Sequence, residues 1–240
     1  MSPRKKEQNE QLRETRRLQI LDAALTVYVR FGYNGADMDA VSAQAGLAKG
    51  LVYYYYRTKQ DLFREMFQWA LEKSMEMSDG FFSSSLNKPP LERLVLYIWD
   101  IFQLTEKDAR VIQFAMRMPF DAYAVFGPDQ WREGITKSKL HQKSLEAIIQ
   151  QAVDTGVIRP VRASHAANCF WSVFVSNLFS FTKMVGSLNP GTEPVDANQR
   201  LERVREISTF CFQGLGLEYE AWGKYLEKLA IEGGQRDEGL

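Results

Sequence analysis

The chain has 240 residues, of which 45% are hydrophobic and 12% aromatic, so disorder over most of its length is excluded. Thirty basic residues balance thirty acidic ones, but residues 1–64 carry 11 basic against 7 acidic residues, and residues 65–240 carry 19 against 23. This asymmetry predicts a basic N-terminal module.

The sequence contains no signal for a metal site, a disulfide or a membrane span. Cys169 and Cys211 form no CxxC pair, and His141 and His165 lack metal-ligand spacing. The charged N-terminus has no signal-peptide core, and the most apolar stretch, residues 169–181, is shorter than the roughly 20 residues that a spanning helix needs. We therefore expect a cytoplasmic protein without cofactor or metal.

Apolar periodicity and capping signals predict four helices in the first 78 residues. The first helix, about Arg13 to Phe31, is expected to end at Gly32. The others are predicted at residues 38–45, with Asp37 as N-cap and Gly46 as terminator, at residues 48–55, and at residues 59–78, opened by a capping box of Thr58 and Asp61.

A stretch rich in Ser, Gly and Pro, residues 79–90, is predicted to be a loop. Longer and more apolar helices follow it at residues 91–104, 107–118 (ended by Pro119), 130–154, 163–185, 197–214 and 218–231. No alternating run of β-branched residues precedes a hairpin turn, so we predict an all-α fold.

The second and third helices are separated only by Gly46 and Leu47, which matches a helix-turn-helix within a three-helix head. Gly46 supplies the positive φ of the turn, and Leu47 fills the space between the helices. Lys49 then opens the third helix with an ammonium group beside free backbone N–H groups, where a phosphate can bind. Val52 and Tyr56 are expected to face the core, which leaves other tyrosines to meet DNA.

These residues resemble the N-terminal domain of TetR-type (TetR/AcrR) transcriptional regulators over about residues 13–67. The resemblance rests on Phe31-Gly32-Tyr33, the helix from Asp37 to Gly46, the sequence GLAKGLVYYYY at residues 46–56, and Lys59 with Leu62-Phe63. It implies a homodimer with a DNA-binding head, a connecting fourth helix and a larger helical domain for ligand binding and dimerisation. The implied division is a basic flexible arm at residues 1–12, a helix-turn-helix domain at 13–58, and a ligand-binding and dimerisation domain at 59–240.

The resemblance also implies which residues meet DNA. Lys49 and Gly50 match the start of the recognition helix, Tyr53 and Tyr55 match its aromatic contacts, and Lys59 matches a residue that binds phosphate at the start of the fourth helix. Ala48 and Leu51 stand where the family usually has Ser or Thr. Asp39 stands where the family usually has a basic or polar residue. The expected DNA-binding set is Met38, Asp39, Ala48, Lys49, Gly50, Leu51, Tyr53, Tyr54, Tyr55 and Lys59.

The C-terminal aromatic and methionine side chains are first of all core residues, and a subset of them is expected to line an effector cavity. Three polar residues, Gln103, Arg117 and Asn177, are candidates to point into it. The expected effector-binding set is Trp99, Phe102, Gln103, Phe114, Arg117, Met118, Phe174, Asn177 and Phe181. The helices near residues 163–185 and 197–214 are the expected dimer contacts, because the first is apolar nearly all round.

The function predicted from these features is a repressor that binds a palindromic double-stranded DNA operator as a homodimer and is released by a small, largely apolar inducer. One alternative keeps the DNA-binding head but responds to a protein partner or to no ligand. A third alternative is a helical enzyme such as an acyl-group hydrolase, but no nucleophile motif, phosphate loop or paired carboxylate supports it. No catalytic residue is predicted.

Overall fold

The structure of the protein is a computed structural model that describes the backbone of residues 3–128, 130, 140–184 and 197–237. Side chains are described for these residues except 3–7, 78, 140, 141, 181–184, 197 and 232–237. Over these ranges the regular structure is entirely helical, as the sequence predicts. The helices are α1 (Pro3–Gly35), α2 (Met38–Ala45), α3 (Lys49–Tyr55), α4 (Lys59–Ser84), α5 (Pro90–Lys107), α6 (Arg110–Phe126), α7 (Leu140–Asp154), α8 (Ala163–Met184), α9 (Ala197–Gly214) and α10 (Tyr219–Asp237).

Helix α1 is longer than the sequence analysis predicted. It begins at Pro3 rather than near Arg13, so most of the segment assigned to an arm is helical. Glu, Gln, Lys and Arg are strong helix formers, but they give no apolar rhythm, which is why periodicity missed this part. The predicted break at Gly32 is present: its φ of 72° and ψ of 174° interrupt the helical backbone before a last turn.

Helix α6 corrects the prediction that Pro119 ends a helix, because Pro119 lies inside it. A proline inside a helix removes one backbone hydrogen-bond donor and strains the preceding turn. Pro119 is exposed, so water can hydrogen-bond the carbonyl that loses its partner. Met118, Ala122 and Val125 are buried on the other face, so packing holds the helix together on both sides of the proline. The predicted loop at residues 79–90 is also shorter, since α4 continues to Ser84.

The described residues form two compact units, and the first consists of residues 1–75 and 113–138. Its core joins α1, α2, α3, the first part of α4 and most of α6. We call this first unit the head. The ring of Tyr28 lies 4.9 Å from that of Phe67 and 5.9 Å from that of Phe114, each in an edge-on arrangement. Thus residues far apart in the sequence complete the core of the head.

The second unit consists of residues 76–112 and 139–240. Within it α5 packs against α7, α8, α9 and α10, and α8 packs against α7 and α9. Phe212 of α9 stacks on Trp222 of α10 at 4.8 Å, and both side chains are buried. None of the described helices has the length and hydropathy to cross a membrane.

Candidate nucleic-acid interface

The turn between α2 and α3 has the geometry that its sequence predicts. The Asp37 carboxylate accepts a hydrogen bond of 2.7 Å from the backbone N–H of Ala40 and so caps α2. Gly46 has a φ of 63°, and its N–H donates to the Ala43 carbonyl, which ends α2. Leu47 is half-buried against the core of the head. Local hydrogen bonds therefore set where α2 begins and ends.

A contact from α1 also holds this turn, and the sequence analysis missed it. The amide of Gln19 donates a hydrogen bond of 2.7 Å to the carbonyl of Ala45, the last residue of α2. The Arg17 guanidinium on the same helix donates to Glu65 of α4 and to Glu14. The hydrogen bond from Arg17 lowers the pKa of the Glu14 carboxyl. A glutamine amide carries no periodic signal, so only the tertiary contact reveals it.

Helix α3 presents one exposed face and one buried face. Val52 is fully buried and Tyr56, which follows the helix, is almost fully buried, as predicted. The side chains of Tyr53 and Tyr54 are 41% and 69% exposed, and the Tyr54 and Tyr55 rings meet edge-on at 5.5 Å. Ala48, Lys49 and Gly50 are exposed, while Leu51 and Tyr55 are half-buried. Most of the predicted recognition residues thus share one accessible surface.

An ion pair lies at the start of this exposed face. The Lys49 ammonium is 2.6 Å from Oδ1 of Asp39 on α2 and 5.8 Å from the centroid of the Tyr53 ring. The hydrogen bond to Asp39 raises the pKa of Lys49. Lys49, the predicted phosphate-binding residue, is therefore paired with a carboxylate. A phosphate that binds Lys49 must either share the ammonium with Asp39 or displace Asp39 from it.

Two other predicted residues lie in different surroundings. Met38 is 5% exposed and belongs to the core of the head, so its side chain is not part of the exposed face. The side chain of Met38 packs inward because it lies on the same face of α2 as the buried Ser42, four residues later. A contact of Met38 with DNA stays a prediction. Lys59 lies over the ring of Tyr33 at 4.6 Å and donates to the Asn34 carbonyl at 3.4 Å.

The predicted effector residues divide between the two compact units. Phe114, Arg117 and Met118 are in the first unit, where Phe114 and Met118 belong to the core of the head. The Arg117 guanidinium donates to the carbonyls of Val29, at 3.0 Å, and Tyr28, at 3.3 Å. Arg117 therefore binds the backbone near the end of α1.

The remaining described effector residues are in the second unit. Trp99, Phe102 and Phe174 are buried, and Gln103 is half-buried. Asn177 is exposed and donates its amide to the carbonyl of Val173, one turn earlier in α8, at 2.8 Å. The side chain of Phe181 lies outside the described residues.

An aromatic cluster in the second unit surrounds Tyr97 of α5, and the sequence analysis did not single it out. The centroid of its ring lies 5.5 Å from that of Phe81, 5.7 Å from that of Phe82, 6.3 Å from that of Trp171 and 6.1 Å from that of Phe174. We call these five residues the Tyr97 cluster. Phe81 and Phe82 fall in the stretch predicted as a loop, which is why they were not expected to pack here.

Part of the first unit is similar to a known family. Residues 20–66 match the family model for bacterial regulatory proteins of the tetR family. The matched residues run from the buried part of α1 through the helix-turn-helix to α4, so they include the exposed face of α3.

Relatives and structural neighbours of the chain are transcriptional regulators, not enzymes. The chain is 25% identical to the uncharacterized HTH-type transcriptional regulator YhgD of Bacillus subtilis over 72% of its own length and 87% of that protein. It matches the structure of the transcriptional regulator FadR from Bacillus subtilis in complex with stearoyl-CoA with a TM-score of 0.58 and 18% identity, over 82% of this chain and 97% of the other. For AibR in complex with isovaleryl coenzyme A and operator DNA, the TM-score is 0.62 and the identity 17%, over 81% and 97%.

Proposed function

We propose that this chain is a repressor of the TetR type, which binds a palindromic double-stranded DNA operator as a homodimer. A small, largely apolar effector then releases it. The exposed face of α3 carries this proposal. A helix that shows a lysine, a glycine and two tyrosines to solvent, while its valine is buried, matches a recognition helix in the major groove.

The operator contacts we propose are those of the exposed and half-exposed residues around the turn. Lys49 and Lys59 bind phosphates, and Tyr53, Tyr54 and Tyr55 supply hydroxyl groups and ring surfaces to the groove. Gly50 and Ala48, which have little or no side chain, allow the backbone N–H groups at the start of α3 to approach a phosphate. Asp39 and Leu51 lie beside them and restrict which sequences fit.

We propose that the dimer forms through α8 and α9. Both helices bury one face within their own unit through Phe174, Leu178, Val204 and Phe212. Phe210 of α9 is 64% exposed, which is unusual for a phenylalanine on a helix that also contributes to a core. An isologous contact across these helices would cover it, because each subunit of a two-fold dimer presents the same surface.

We propose that the effector binds in the second unit, near Trp99, Phe102, Gln103 and Phe174. The stearoyl-CoA and isovaleryl coenzyme A complexes of the comparison structures support acyl thioesters as the first class to test. Helices α4 and α6 contribute residues to both units. A ligand shifts such a protein only through different affinities for its DNA-binding and released states.

Selection of bound duplexes from a random pool, followed by footprinting, tests the proposal. We expect a pseudo-palindrome whose two half-sites lie about 34–36 Å apart or somewhat more, which is about one helical turn of DNA. Protection of a single, asymmetric half-site by a monomer would exclude the dimeric repressor. Specific operator binding that responds neither to acyl thioesters nor to apolar compounds would favour control by a protein partner.

A further inference from the structure

A buried cation lies in the second unit and has no acidic partner among the residues that the structure describes. Arg93 of α5 is 7% exposed, and its Nη1 donates a hydrogen bond of 3.0 Å to Oε1 of Gln151 on α7. Its Nε is buried and has no hydrogen-bond acceptor among the described residues. Burial lowers the pKa of this guanidinium, but an arginine stays charged in proteins.

The acidic residue next to Arg93 is already neutralised. Glu92 accepts a hydrogen bond of 2.6 Å from Lys88 and lies 3.9 Å from the ammonium of Lys228. Arg93 therefore faces a neutral amide where a buried charge normally has a carboxylate. Gln151 accepts from Nη1, so the buried Nε is left for another acceptor. In a guanidinium, Nε and Nη2 form one edge, and this edge holds oxyanions through two parallel hydrogen bonds.

An apolar surface lies one helical turn from this edge. Tyr97 follows Arg93 by four residues and so lies on the same face of α5. Tyr97 is the centre of the Tyr97 cluster, whose Phe82 and Phe174 members are also buried. A guanidinium beside aromatic rings suits a ligand that has a charged end and an apolar body.

We propose that Arg93 binds the oxyanion of an amphipathic effector, a carboxylate or a phosphate, whose apolar body packs against the Tyr97 cluster. This inference rests on the proposed function, because it names the chemical class of the effector. It adds Arg93, Gln151 and Tyr97 to the effector-binding residues. It also gives the buried charge of Arg93 an anionic partner.

Isothermal titration calorimetry without DNA tests the site directly, with full-length protein and the probes dodecanoate, dodecyl phosphate and dodecanol. We expect at least one anion to bind about tenfold or more tightly than the alcohol, because only the anion forms charge-assisted hydrogen bonds with Arg93. The tighter of the two anions identifies the oxyanion. Equal binding of anions and alcohol, or no binding of either anion, overturns the proposal.

Two variants locate the charge that the anion meets. Arg93→Met should remove the preference for the anion and leave dodecanol binding unchanged, whereas the exposed control Arg162→Met should keep the preference. Gln151→Glu should have the same effect without loss of the arginine, because the new carboxylate pairs with Arg93 and competes with the probe. The Gln151→Glu variant also tests the proposal if Arg93→Met does not fold. A preference that survives in Gln151→Glu places the anion elsewhere.

Operator release is measured separately, so that the two proposals fail in different ways. If dodecanol releases the operator as well as the anions do, the proposed repressor function is supported and Arg93 is not the anion site. If the anions bind and Arg93→Met abolishes that binding, but no probe changes operator affinity, the site stands and the regulatory function of the proposal fails.

Discussion

The Lys49 ammonium lies 2.6 Å from Oδ1 of Asp39, so the first residue of α3 is ion-paired with the helix before it. Both side chains are more than half exposed, which leaves the pair open to solvent and to DNA. A phosphate that approaches Lys49 meets the Asp39 carboxylate as well. The pair therefore weakens the attraction that a free lysine at this position would have.

We predict that Asp39→Asn tightens binding to all duplexes by about five- to tenfold at 0.1 M salt and makes the salt dependence steeper by up to about one unit of slope. The physical reason is that Lys49 no longer pairs with a carboxylate and can neutralise one phosphate. Each neutralised phosphate releases about 0.9 counterion from the DNA. Fluorescence anisotropy over a range of salt concentrations measures both quantities.

The double variant provides the control for this prediction. Lys49→Ala should weaken binding to all sequences alike, and Asp39→Asn should have a smaller effect in the Lys49→Ala background than in the parent. If Lys49→Ala changes which bases are preferred while the salt slope stays constant, Lys49 reads bases and the phosphate assignment is wrong.

We expect Arg117 to stabilise the folded head. Arg117→Met removes two hydrogen bonds from a charged donor to the carbonyls of Tyr28 and Val29, and we expect the free energy of unfolding to fall by about 1–3 kcal/mol. Urea denaturation measures the loss, and the exposed Arg57→Met is the matched control. Unchanged stability together with a lost response to effector would instead assign Arg117 to the effector site, as the sequence analysis expected.

Phe174 tests the position of the effector site. Phe174→Leu keeps an apolar side chain, and we expect effector affinity to fall about fivefold because contact area with the ligand is lost. Operator affinity without effector should stay within twofold of the parent, because the proposed operator contacts are residues of the first unit. Phe212→Leu is the matched control, since Phe212 is equally buried but stacks on Trp222. An equal loss in both variants would indicate a general effect on packing.

Phe210 tests the dimer. Phe210→Glu places a charge on an exposed position of α9, and we expect the protein to elute as a folded 27.6 kDa monomer with a weaker operator affinity. Leu86→Glu is the matched control, because Leu86 is also 64% exposed but lies outside α8 and α9. Size-exclusion chromatography with light scattering gives the mass. A Phe210→Glu protein that remains dimeric would move the interface away from this part of α9.

Local chemistry allowed the sequence to predict the helix-turn-helix closely. The bounds of α2, Met38–Ala45, follow from a capping aspartate and a glycine with positive φ, both of which act within a few residues. Thr58 caps α4 as predicted, because its hydroxyl oxygen accepts from the Asp61 N–H, and the hydroxyl donates to the Asp61 carboxylate. The inward position of Tyr56 is also confirmed. The bounds of α9, Ala197–Gly214, were also predicted correctly from its apolar spacing.

Tertiary structure alone decided the features that depend on distant partners. Pro119 was predicted to end a helix, but packing of Met118 and Ala122 in the core of the head carries α6 past it. Phe114 and Arg117 were grouped with Phe174, yet the fold places them in different compact units. The Lys49–Asp39 pair and the buried charge of Arg93 were equally hidden, because a residue's charge is visible in a sequence but its partner is set by the fold.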